Sequence, residues 1–205
     1  MEEISTVTLP EVAASAEVVV RLRAEESTYA QIDLAFDTLP RSPRVWQDLK
    51  SLLTIPAALL QVRDAAKLLV LVLEKTMAAI PADLALLVLS DPSGRRSSST
   101  LTRTGEAEET SQQAAESIDQ VFADGVCILR QGSCSVAAAP FLLDQGLHGC
   151  VCLQNGPSSR PLSKHHLHLL AAIVSFIAPI LGAALRLRRL ETENQKLKAA
   201  TAGSL

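Results

Sequence analysis

The sequence predicts an α+β fold: an antiparallel sheet of five to six strands flanked by helices, with a long C-terminal helix that extends into a short coiled coil. Three observations carry this. Between residues 84 and 154, short apolar runs alternate with tight-turn signals, as hairpin strands do. Apolar residues at helical spacing precede, interrupt and follow those runs. Residues 163–197 then hold two apolar series on one continuous helix. Strands joined by tight turns must be antiparallel, and helices around them complete a layered arrangement.

Residues 1–41 show no period and read as a flexible N-terminal arm, within which 17–22 reads as a short strand or helix. Ser42 and Pro43 open the first helix, with Ser as cap and Pro in the first turn, where its missing N–H costs nothing. Trp46, Leu49, Leu53, Pro56 and Leu60 mark its stripe, and Pro56 is expected to kink it or end its first part. Asp64 caps a second helix over 65–80, apolar almost all round and so expected to be buried on several sides.

The period then changes. Residues 84–89 form an apolar strand closed by Asp91-Pro92-Ser93-Gly94, a turn signal. Residues 95–102 are polar and alternate weakly, as an exposed hairpin strand does, and 106–111 form an acidic loop. A helix over 112–123 places Ala115, Ile118, Val121 and Phe122 at helical spacing and stops at Asp124-Gly125. Three strands follow, over 126–129, 134–143 and 147–154, with Gln131-Gly132-Ser133 and Asp144-Gln145-Gly146 turning the chain between them. Ser163 caps the last helix.

That last helix carries the main functional expectation. Leu167, Leu170, Val174, Ile177, Leu181 and Leu185 form the stripe of a helix lying on its own domain. Ile173, Phe176, Ile180, Ala183, Leu187, Leu190, Asn194 and Leu197 alternate steps of three and four, which is a heptad seam. Pro179 lies between the two series and is expected to bend the rod. Asn194 at an a position would fix a parallel, two-stranded register at some cost in stability. The expected organisation is an arm over 1–41, a domain over 42–190 and a coiled-coil tail with a disordered end over 191–205. The expected homodimer interface is the seam together with Trp46, Leu49 and Leu53.

Composition excludes several classes. An apolar share of 48% is ample for a core, and a formal charge of −3 lacks the basic footprint of a nucleic-acid binder. The most apolar run, 167–187, is broken by Ser175, Pro179 and Arg186, so no membrane span is expected. The acidic N-terminus lacks a basic, then apolar, secretory signal, and a cytoplasmic location is expected. Aromatics are few, which weakens any site built on stacking.

The pattern resembles a GAF domain, the small-molecule-sensing relative of the PAS fold. SIDQVFADGVCIL is similar to that family's helix and following strand, SVAAAPFLLDQGLHGCVCLQN to its central hairpin, and LSKHHLHLLAAIVSFIAPILGAAL to its closing helix. The resemblance covers about 45–190 and extends to GAF modules upstream of bacterial output domains, including sigma-54 activators. It implies a regulatory, non-enzymatic signalling role, with an output partner on another chain. It also implies a pocket between the sheet and helix 112–123, lined by Leu86, Val88, Ile118, Phe122, Val136, Ala138 and Phe141. One departure is plain: only 130–133 separate the third and fourth strands, where ligand-binding members carry a longer lid. The Asn-Lys-Phe-Asp-Glu set of cyclic-nucleotide members is absent, as is a Cys or His placed to attach a chromophore or haem.

No cofactor or metal is expected from the remaining residues. Cys150 and Cys152 share one strand face with His148 and Gln154, and Cys127 and Cys134 flank the preceding turn. Buried small core residues are the expectation for all four cysteines. A redox-sensing pair is the alternative, and methionine-sulfoxide reduction, known in some GAF proteins, a more distant one. His165 and His168 share a helix face that suits a metal, but the expected role of the 165–168 histidines is a solvated, mostly neutral first turn. Arg186, Arg188, Arg189, Lys196 and Lys198 alternate with Glu191 and Glu193, as charges flanking a coiled-coil seam do. No Ser-His-Asp arrangement, phosphate loop or carboxylate pair is present at a meaningful spacing.

Overall fold

The structure is a computed structural model of the 205-residue chain and describes residues 17–23, 26, 43–103, 110–143 and 148–202. One six-stranded antiparallel sheet, in the order β1-β4-β5-β6-β2-β3, forms the middle layer. Its strands are β1 (Glu17–Leu22), β2 (Leu84–Ser90), β3 (Arg96–Thr102), β4 (Cys127–Gln131), β5 (Ser135–Leu142) and β6 (His148–Asn155). Three helices, α1 (Pro43–Leu59), α2 (Ala65–Ala79) and α4 (Lys164–Ala202), pack together on one face, and α3 (Gln112–Asp124) lies alone on the other.

Because helices cover both faces, the central strands are apolar in consecutive positions rather than alternating. Every residue of β2 is buried. Leu84, Leu86 and Val88 face α3, while Ala85, Leu87 and Leu89 face the three-helix layer. The same parity divides β5 into Val136 and Ala138 on the α3 side, and Ala137, Ala139 and Phe141 on the other.

The helix ends are set by named side chains. Asp64 Oδ1 accepts from the N–H groups of Ala66 and Lys67 at 2.8 and 3.1 Å, opening α2. Those bonds hold its carboxyl below the usual carboxylate range. Ser111 Oγ accepts from Ala114 N at 3.2 Å, and Gly125 closes α3 in the left-handed region at φ 66°. Pro43 is the first residue of α1, and the Ser42 cap lies outside the described residues.

Two expectations are corrected. The stretch 17–22 is an edge strand antiparallel to β4, so the domain reaches into the expected arm; the rest of 1–41 lies outside the described residues apart from Arg23 and Glu26. The inner face of α1 is Asp48, Leu52, Ile55 and Leu59, while Trp46, Leu53 and Leu60 of the stripe are exposed. Pro56 does not end α1, which runs on to Leu59; α4 runs through Pro179 to Ala202, one helix as expected.

Candidate functional site

The α1–α4 pair is the first candidate. The starts of the two helices meet, so they run parallel. His165 Nε2 lies 2.9 Å from Oδ2 of Asp48, whose side chain is 8% exposed. His166 sits at the third helical position, and its Nδ1 accepts from Ser163 N–H at 3.2 Å while Ser163 Oγ accepts from His166 N–H at 3.4 Å. This is a capping box with histidine in the usual Glu or Gln place. It requires a bare Nδ1, so a neutral His166 carries its proton on Nε2. The 3.4 Å approach of Arg44 Nη2 to that Nε2 then sets donor against donor and is not a hydrogen bond. Burial first, and Arg44 next, push the His166 imidazole below its ordinary value. His168 is pushed down as well, by burial and then by Lys164.

Along α4, Leu167, Leu170, Val174, Ile177 and Leu181 are buried against the sheet, as their spacing predicts. The second series changes character along its length. Ile173 is 1% exposed and belongs to the core, which corrects its place in the expected interface: with α1 alongside, the first turns of α4 are enclosed on all sides. Ile180 is half-buried and packs on the same core. Phe176, Ala183, Leu187, Leu190, Asn194 and Leu197 are exposed. On α1, Trp46 and Leu53 are exposed at 64% and 75%, and Leu49 is half-buried. Both helices therefore carry exposed large apolar side chains. By length and composition α4 could also cross a membrane, with a mean hydropathy of 2.1 over its most apolar window, but half of that window is buried inside the domain. The sequence expectation that no run is long enough is corrected to that extent.

The expected pocket is the second candidate. Leu86, Val88, Ile118, Val136 and Ala138 do converge between the sheet and α3, with Phe122 packed at the edge. They are buried against one another together with Ala114, Val121, Cys134, Cys150 and Cys152. Phe141 is the correction. It is one residue out of phase with Val136 and Ala138, so its ring lies on the opposite face, over Gly149, its cross-strand partner. A cleft of about 480 Å³ lies at the end of the sheet, lined by Phe122, Phe141, Leu142, His148 and Arg23 among others. The β4–β5 link is the three residues 132–134, so no lid covers the α3 side from there.

All four cysteines are buried, and none is in a disulfide. Burial raises the Cys150 thiol well above its ordinary value and pushes Cys152 up to about 12. A thiol held so protonated is a poor nucleophile. Cys134 Sγ donates to Gln113 Oε1 at 2.9 Å, within a polar cluster that the sequence reading missed. There Gln154 Oε1 accepts from both N–H and Oγ of Ser111, at 3.1 and 2.7 Å, pinning the start of α3 to β6. Next to it Asn155 bonds Pro81 O, Arg160 O and Asp83 N, tying the ends of β2 and β6. These are structural fastenings. Among the described residues no group of three or more His, Cys, Asp or Glu could hold a metal.

Comparison with known proteins places this architecture. No protein-family model matches the sequence, and no curated protein matches it. Solved structures do. The GAF domain from an Acinetobacter phosphoenolpyruvate-protein phosphotransferase superposes with a TM-score of 0.51 at 13% identity, over 67% of this chain and 94% of that one. The phycoerythrobilin-bound GAF domain from a cyanobacterial phytochrome gives 0.50 at 12% identity, over 67% and 95%. The chain has a GAF-domain fold.

Proposed function

We propose that the chain is a non-enzymatic regulatory module that works as a homodimer through α1 and α4 and acts on an output partner carried by another chain. One observation supports this most: the exposed part of the α4 seam is self-complementary. With Ile180, Leu187 and Asn194 at a, and Ala183, Leu190 and Leu197 at d, Arg186 and Glu193 take g positions and Glu191 and Lys198 take e positions. In a parallel pair each g residue meets the e residue five places on in its twin. Both pairings, Arg186 with Glu191 and Glu193 with Lys198, then join opposite charges. The helix past Glu191 also exposes every described side chain, and an isolated helix of that length is marginal in water without a partner. On α1, which packs on α4, Trp46 and Leu53 add exposed apolar surface and Leu49 is half-buried beside them in sequence. A regulatory role and a cytoplasmic location accord with the GAF fold and with the absence of catalytic spacing in the sequence.

Light scattering at micromolar concentration tests this. The expected mass is twice the 21.9 kDa of the chain, falling to one copy in the Leu187→Glu, Leu190→Glu double variant. A wild-type monomer overturns the proposal. A second reading, a small-molecule sensor, draws on the 480 Å³ cleft beside His148 and Arg23, a size within the range of ligand sites. Thermal-shift screening with nucleotides, bilins and amphiphilic metabolites checks it; no shift at high excess removes it.

A further inference from the structure

The joint between α1 and the first turn of α4 concentrates ionisable groups where the two helices dock. We propose that this joint is a proton-operated latch: α1 is held on α4 while His166 is neutral, and is released when His166 takes up a proton. The geometry makes His166 the moving part. Its Nδ1 lone pair is occupied as the acceptor for Ser163 N–H, so a proton there deletes one half of the capping box. The new imidazolium would stand at the positive end of the helix dipole and beside the Arg44 guanidinium, 3.4 Å from Nε2. The charged groups facing it are Arg44 and Asp48 from α1, Arg160 from the loop before α4, and His165 on α4 itself. The one carboxylate among them, Asp48, is already engaged by His165. Protonation therefore sets His166 and Arg44 as like charges across the α1–α4 boundary.

The sign follows from linkage. The folded protein holds the proton on His166 less well than the unfolded chain, whose ordinary value is 6.5. Stability from the joint is thus fully present above that value and is lost as pH falls through the lower folded-state value.

Hydrogen exchange of the full chain tests this, with rates corrected for their intrinsic pH dependence, from about pH 7.5 to about pH 5. Protection of α1 amides is expected to fall by up to about tenfold per pH unit below 6.5, while β5 and β6 keep theirs. Trp46, the single tryptophan, lies on α1 and gives a parallel optical readout. His166→Gln keeps an acceptor at the third helical position but cannot be protonated, and should hold α1 closed across the same pH range. The midpoint of α1 release should coincide with the His166 ring titration followed by NMR. Flat α1 protection in the wild type, release in His166→Gln at the wild-type pH, or a midpoint detached from the His166 titration overturns the latch. Light scattering over the same pH range separates release of α1 from dissociation of a dimer: α1 protection lost at constant mass is the signature of the latch, and loss that tracks a fall in mass overturns it.

Discussion

Adding one methyl group at Gly149 should destabilise the domain, and the cost should depend on Phe141. The two residues are cross-strand partners on β6 and β5. A Cβ on Gly149 would fall within 2.6 Å of three ring atoms of Phe141. Carbon atoms in contact sit about 3.5–4.0 Å apart, so the ring must retreat by about 1 Å or more. Phe141 is 5% exposed, and overpacking at such a position costs about 1–3 kcal/mol. Replacing glycine in a strand returns about 0.5–1 kcal/mol through lost chain entropy in the unfolded state. The net expectation for Gly149→Ala is a loss of about 1–2 kcal/mol. Urea unfolding measures it as a lowered midpoint at constant slope. In a Phe141→Leu background the ring is gone, and most of the penalty should vanish, giving a coupling of about 1 kcal/mol or more. A neutral Gly149→Ala, or an identical cost in both backgrounds, would refute the placement of the ring on the helical-layer face and return it to the α3 side.

Three further outcomes follow from the same geometry. Asn194→Leu should raise the thermal stability of the dimer and loosen its specificity, seen as higher oligomers by light scattering, because the buried polar pair at an a position is removed. Ser111→Ala removes an N-cap and the Oγ bond to Gln154, leaving the backbone N–H bond, and should cost about 1–2 kcal/mol in urea unfolding, with α3 amides losing protection first. Cys150 and Cys152 should resist alkylation at about pH 8 in the folded protein and react at once in denaturant, since burial keeps both thiols protonated; modification of the native protein at the rate of a free thiol would contradict this and revive a redox role.

The layers were legible in the sequence because hairpin turns and helix caps act locally. Asp64, Ser111, Gly125 and Ser163 each end or begin an element through bonds to residues a few positions away. What was missed depends on distant partners or on phase. The β1 strand is a half-exposed edge strand whose partner β4 lies about a hundred residues on, so 17–22 carries no local sign of pairing. The inner face of α1 includes Asp48, and a polar residue in that stripe hid it from the sequence reading. Nothing near Asp48 in sequence announces His165. The Phe141 error was avoidable: strand parity separates it from Val136 and Ala138, and the adjoining Gly149 signals a ring close by. Ile173 fits the heptad spacing, but α1 packs alongside and takes it into the core.

The central claim is a parallel, in-register pairing of α4, and disulfide trapping tests it most directly. Leu197 is 70% exposed at a d position, and d residues of a parallel pair face each other within the reach of a disulfide. The four native cysteines are buried and do not compete. Under mild oxidation Leu197→Cys should convert to a covalent dimer, while Gln195→Cys, at an outward b position, should remain a single chain. Equal trapping of both, or of neither, would contradict the account.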